Sequence, residues 1–95
     1  MVKIMVTKRE IDLLEMCYKN LNLNPNYLVD KHSIVIKDDE KNNLYIMFNC
    51  ILDVFLKIGL LGNDEPNEIG KELENLNNKV NHEYVIINSK KGKTT

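Results

Sequence analysis

The sequence has no tryptophan, one arginine, two prolines, two cysteines and two serines. Its four glycines stand apart at positions 59, 62, 70 and 92. Each scarcity removes a class of chemistry. Glycines so dispersed cannot build a phosphate-cradling loop. Ser33 and Ser89 fall in no G-x-S-x-G nucleophile turn. A lone Arg9 among twelve lysines supplies little of the bidentate fork that reads guanine and phosphate. Long apolar runs are also missing. Residues 44–62 are the most apolar stretch, but Asn49, Asp53 and Lys57 interrupt it, and mid-span charge is expensive in lipid. No membrane span is expected. Met1 to Thr7 carries one lysine and no long apolar segment, so it does not read as a signal peptide. Cys17 and Cys50 both lie in apolar helical patterns. They read as free buried thiols of a cytoplasmic protein, because disulfides are rare in a reducing cytosol.

What remains is a chain of 95 residues with a net charge of -1 and 43% hydrophobic residues. That is one domain's length, and too apolar for a disordered chain. A modest core is feasible. Residues 1–88 read as a single compact domain, and 89–95 as a basic, flexible tail carrying Lys90, Lys91 and Lys93.

The first helix is well signed. Thr7 followed by Glu10 is a capping box, with Val6 and Ile11 placed as a hydrophobic staple. Ile11, Leu14, Tyr18 and Leu21 form one apolar stripe. Pro25 disfavours helix at Asn24, which sets an end by about Leu23. Val2-Lys3-Ile4 reads as a short leading strand. Ser33 to Lys37 and Leu44 to Phe48 alternate as strands of a hairpin across the polar Asp38–Asn43 turn. From Asn49 a mostly buried helix follows, with Asp53 and Lys57 as an i,i+4 pair. Gly62 is placed as its left-handed stop. Asn63-Asp64-Glu65-Pro66 opens another helix, whose stripe is Ile69, Leu73, Leu76 and Val80. On propensity alone Gly70 weakens that helix by about 1 kcal/mol against alanine. Tyr84-Val85-Ile86-Ile87 reads as a final strand. The expected fold is α+β: a small, mainly antiparallel sheet of three or four strands with about three helices on one face.

The reactive side chains form no recognised site. Cys17, His32, Cys50 and His82 match a zinc-ligand count but contain no close pair. Asp38-Asp39-Glu40 and Asn63-Asp64-Glu65 lack the alternating ligands and central glycine of a calcium loop. No metal or cofactor is expected. His32 and Ser33 are strand neighbours, so their side chains diverge. Cys17 and His82 remain an open nucleophile–base pair, although buried cysteines are usually inert. The chain reads as a non-enzyme.

Charge gives the best lead. Residues 64–83 hold six acids and two lysines. Glu65, Glu68, Glu72 and Glu74 would line the exposed side of the last helix. A solvated helix face is the simpler account of them. As a functional surface they would complement a basic protein and speed its encounter. A small DNA-binding regulator is the alternative, using Lys3, Lys8 and Arg9 with the basic tail. Without residues 89–95, however, 10 basic residues face 14 acidic ones, which opposes non-specific phosphate binding.

A short, Asn-rich, slightly acidic chain without motifs resembles products of phages and other mobile elements. The missing catalytic motif, the small size and the acidic final helix point to a protein-binding module, of the inhibitor or immunity-protein kind, that covers a partner's surface. A homodimer through an unpaired hairpin edge stays open.

Overall fold

A computed structural model describes residues 1–93, with side chains described through Ser89. The order of elements is β1 (Val2–Met5), α1 (Lys8–Asn20), β2 (Leu28–Asp30), β3 (Ser33–Ile36), α2 (Glu40–Ile58) and α3 (Glu68–Lys93). The fold is α+β, as the patterning predicts. Three strands form one antiparallel sheet in the order β1-β3-β2. Ile4, Ile34 and Val29 align across it on one face, and Lys3, Val35 and Leu28 on the other. Ile4 and Ile34 are buried, whereas Lys3 and Leu28 are exposed. The helices therefore cover one face and leave the other to solvent.

The capping box forms as the sequence indicates. The Glu10 amide donates to Thr7 Oγ1 at 3.1 Å, and the Thr7 amide donates to Glu10 Oε1 at 2.9 Å. Val6 and Ile11 are both buried. The helix stops earlier than Pro25 alone suggests. Asn22 adopts φ 55, and the amides of Asn22 and Leu23 return to the carbonyls of Lys19 and Tyr18. This is a Schellman end with Asn in the left-handed position.

The middle and the end of the chain differ from the sequence reading. Leu44–Phe48 is not a strand but the second and third turns of α2, which begins at Glu40. Leu44, Met47, Cys50, Ile51 and Val54 are buried, the spacing of one helical stripe. The hairpin instead joins β2 to β3 through Lys31 and His32. Tyr84–Ile87 is not a strand either. It lies within α3, where Tyr84 and Ile87 continue the stripe of Leu73, Leu76 and Val80. The helix runs on to Lys93, so it takes in residues 89–93 of the segment read as a tail. Thr94 and Thr95 lie outside the described residues.

The turn between α2 and α3 is built on two glycines that the sequence reading did not assign to it. α2 ends at Gly59, whose amide donates to the Phe55 carbonyl at 2.8 Å. Gly62, the expected stop, has no atom near the position its Cβ would take. Asn67 joins the two helices. Its Oδ1 accepts from the Gly70 amide at 2.8 Å and so caps α3, while its Nδ2 donates to the Ile58 carbonyl at 2.7 Å. Its own amide donates to the Gly59 carbonyl at 2.9 Å. Gly59 and Gly70 then meet backbone to backbone. That close approach lets Leu73, Leu76 and Val80, all fully buried, pack into the core. Each such side chain contributes about 1.5–3 kcal/mol.

Candidate interaction surface

The four glutamates singled out by charge do not share one environment. Glu65 lies in the turn before α3, where its carbonyl accepts from the Leu61 amide at 2.7 Å. Glu68 is the first residue of α3. Glu72 follows one turn later and is held by Arg9, with Nη2 to Oε2 at 3.0 Å and Nε to Oε2 at 3.3 Å. The pair raises the already high pKa of Arg9 through the hydrogen bond and charge of Glu72. Glu74 lies two residues further on, about 200° around the helix from Glu72. The structure thus gathers Asp64, Glu65 and Glu68 at one end of the molecule. It commits Glu72 to α1 and points Glu74 to another flank. Early acids also suit the helix dipole.

A second ion pair fastens α3 to the rest of the fold. Lys79 Nζ donates to Glu10 Oε1 at 2.7 Å and to the Met5 carbonyl at 3.3 Å. Burial alone would push the Glu10 carboxyl up. The hydrogen bonds from Lys79 and Thr7, with the Lys79 charge, outweigh it and hold the carboxyl below its ordinary value.

The reactive side chains are kept apart from solvent or from each other. Cys17 and Cys50 are free and fully buried. Burial, with a smaller effect from Cys50, pushes the Cys17 thiol up to about 12. Burial and then Asp53 also raise the Cys50 thiol. A thiol so shifted is not a nucleophile near neutral pH. His82 is exposed on α3, beside a groove of about 440 Å³ that Lys3 and Lys79 also line. Of the basic residues proposed for DNA, Lys3 and Lys8 are exposed and Arg9 is engaged by Glu72. Lys90, Lys91 and Lys93 lie beyond the described side chains. Among the described residues, no three of His, Cys, Asp and Glu converge as a metal site, and no helix is long and apolar enough to cross a membrane.

One surface was missed by the sequence reading. Tyr45, Phe48, Leu52 and Leu56 recur along α2 at spacings of three and four, so they form one stripe. Tyr45 is 50% exposed and Leu56 60%. Tyr84 of α3 lies against Tyr45, with ring centroids 6.3 Å apart. Tyr45, Phe48, Asn81 and Tyr84 enclose a cleft of about 240 Å³. Val85, 53% exposed, stands next in sequence to Tyr84. The signal was present in residues 44–48 and 84–87, but reading those runs as strands assigned alternate side chains to the wrong faces.

Comparison of the chain with protein-family models, with curated proteins and with solved structures finds no match.

Proposed function

We propose that the chain is a non-enzymatic, cytoplasmic protein-binding module that acts by covering a basic patch on another protein. An inhibitor or immunity-type role fits this mode of action. The observation that carries the reading is the acidic end formed where α2 turns into α3. Asp64, Glu65 and Glu68 are all exposed there, and no described cation pairs with any of them. Four other acids of the chain are ion-paired: Glu10, Glu40, Asp53 and Glu72. Charge left open at one end raises the encounter rate with a positive surface and disfavours negative ones. Glu65 and Glu68 are the first contacts. Glu74 acts at the rim, and Glu72, its charge met by Arg9, is the weakest of the four.

The test is capture from the native host's lysate with wild type and with a Glu65→Lys/Glu68→Lys variant as baits. A near-stoichiometric protein that survives nuclease treatment and is lost from the variant is the expected result. Equal capture by both baits refutes the acidic end. Loss of every partner on nuclease treatment moves the function to nucleic-acid binding.

A further inference from the structure

We propose that the outer edge of β1 takes an extended peptide of another protein as a fourth strand, seated in the groove between β1 and α3.

The register leaves that edge open. β1 is an outer strand of the sheet. In an antiparallel ladder, successive residues turn their amide and carbonyl alternately towards and away from the neighbouring strand. The Val6 amide donates to the His32 carbonyl at 2.8 Å, so Val6, Ile4 and Val2 face β3, and Lys3 and Met5 face outward. The Met5 carbonyl shows that direction itself, because Lys79 Nζ reaches it from α3 at 3.3 Å. Among the described residues, nothing bonds the outward amides of Lys3 and Met5 or the Lys3 carbonyl. Lys79 does not close the edge. Its bond to Met5 is longer than its 2.7 Å bond to Glu10, so an incoming amide can replace the first and leave the second.

These open groups name the occupant. Each outward residue offers a donor beside an acceptor, and the pair repeats after about 6.8 Å, two residues of strand. An anion would meet only the amides, and a cation only the carbonyls. A polypeptide strand meets both, which is how a peptide joins a sheet edge. The edge also has a seat. Lys3, Ile4 and Met5 form one wall of the groove of about 440 Å³, and α3 forms the other between Asn78 and Glu83. β2, the other outer strand, has three residues and turns only Val29 outward.

The walls set the side chains of the guest. In a strand added antiparallel to β1, the residue opposite Ile4 points to the helix side, into the groove. Glu83 is half-buried there and the charge of Lys79 is met by Glu10, so the groove favours an aliphatic side chain over an acid. Asn78 and His82, both exposed, are its polar rim. The residues opposite Lys3 and Met5 lie on the open face of the sheet. Lys3 is exposed and joins none of the ion pairs among the described residues, so it suits an acid. Met5, 64% exposed, suits a second aliphatic residue. From its N-terminus the guest therefore reads aliphatic, aliphatic, acid. His82 lies about 20 Å along α3 from Glu68, so this site is separate from the acidic end.

The test titrates the isotope-labelled full chain with the capped peptide threonine–valine–isoleucine–glutamate–threonine. The Lys3 and Met5 amides should exchange freely with solvent in the free protein, and saturating peptide should slow both by about tenfold or more. Methylating the valine or glutamate nitrogen of the peptide, which face β1, should abolish binding. Methylating the isoleucine nitrogen, which faces away, should spare it. Met5→Pro removes an outward amide without breaking the β1–β3 ladder, and should lose the peptide with an unchanged circular-dichroism spectrum. If that variant unfolds, the methylated peptides carry the test on the wild type. No effect of the peptide on Lys3 and Met5, equal binding of all the peptides, or binding by a folded Met5→Pro overturns the proposal. Amides already protected in the free chain, and more so at higher concentration, overturn it too and assign the edge to a second copy.

Discussion

Replacing Gly70 with alanine sets helix propensity against packing, and the two predict opposite signs. Alanine is the better helix former by about 1 kcal/mol, so an isolated α3 would gain from the change. In the folded chain the added Cβ would lie 2.9 Å from the Gly59 carbonyl carbon and 3.2 Å from its Cα, with the carbonyl oxygen nearer still. These are backbone atoms and cannot rotate away. The reciprocal Cβ on Gly59 would meet Gly70 Cα at 3.1 Å and the Phe55 carbonyl oxygen at 2.7 Å. Relief requires α2 and α3 to separate at the point where Asn67 ties them. Overpacking of this kind costs about 1–3 kcal/mol, and the separation also loosens Leu73 and Leu76, which are fully buried. After the propensity gain is subtracted, the net loss is about 1 kcal/mol, a fall in Tm of roughly 4–8 °C for a domain of this size. Gly62→Ala is the matched control. Nothing lies within 4 Å of its Cβ position and its φ is not positive. That change should be neutral or stabilising by up to about 1 kcal/mol. Thermal and urea unfolding followed by circular dichroism measure both. A Gly70→Ala variant as stable as wild type would refute the backbone contact as the reason for glycine.

Asn67→Ala removes the cap of α3 and the tie to Ile58, and should cost about 1–2 kcal/mol in urea unfolding. The Glu10 carboxyl is lowered from an ordinary value of 4.5, so its contribution is complete above that pH and is lost as the pH falls through the lower folded value. Glu10→Gln should flatten the acid limb of the stability curve, and an unchanged limb would remove Glu10 from the account. Lys31 holds φ 53 in the β2–β3 turn, which strains a residue with a Cβ. Lys31→Gly should raise stability by about 0.5 kcal/mol after glycine's own entropic cost, and a lower Tm would contradict the strain. Cys17 and Cys50 should resist a thiol reagent in the native protein near neutral pH and react only on unfolding; rapid native reaction would contradict their burial.

The legible parts of this fold are those whose signals are local. Thr7 and Glu10 are three residues apart and define the start of α1 without help from elsewhere. The stripe of α3 was equally regular. Its expected end at Val80 was an error of stopping early, since Tyr84 and Ile87 extend the same spacing by four and three. Val85, Ile86 and Ile87 are β-branched and favour strand by propensity, and packing of Tyr84 and Ile87 on the core overrides that preference. Leu44–Phe48 failed for a related reason. Apolar residues fill every position there, so a period of two and a period of 3.6 fit equally well over five residues. Only the longer window, with Leu44, Met47, Ile51 and Val54 on one side, separates them.

The candidate surface was less legible than the fold, and the cause lies in long-range pairing. Glu72 and Glu74 look alike in the sequence. Arg9, 63 positions away from Glu72, distinguishes them, and no local pattern announces that partner. The same holds for Gly59 and Gly70, each of which reads alone as a helix breaker or a weak point and together form the closest backbone approach of α2 and α3. That contact orients the whole outer layer. It places the open acids Asp64, Glu65 and Glu68 at the turn, and it sets Tyr45 against Tyr84 at the far end of the helix pair. A change at either glycine should therefore disturb both ends at once. An altered near-ultraviolet tyrosine signal in folded Gly70→Ala would show that the Tyr45–Tyr84 contact depends on a backbone approach more than two helical turns away from it.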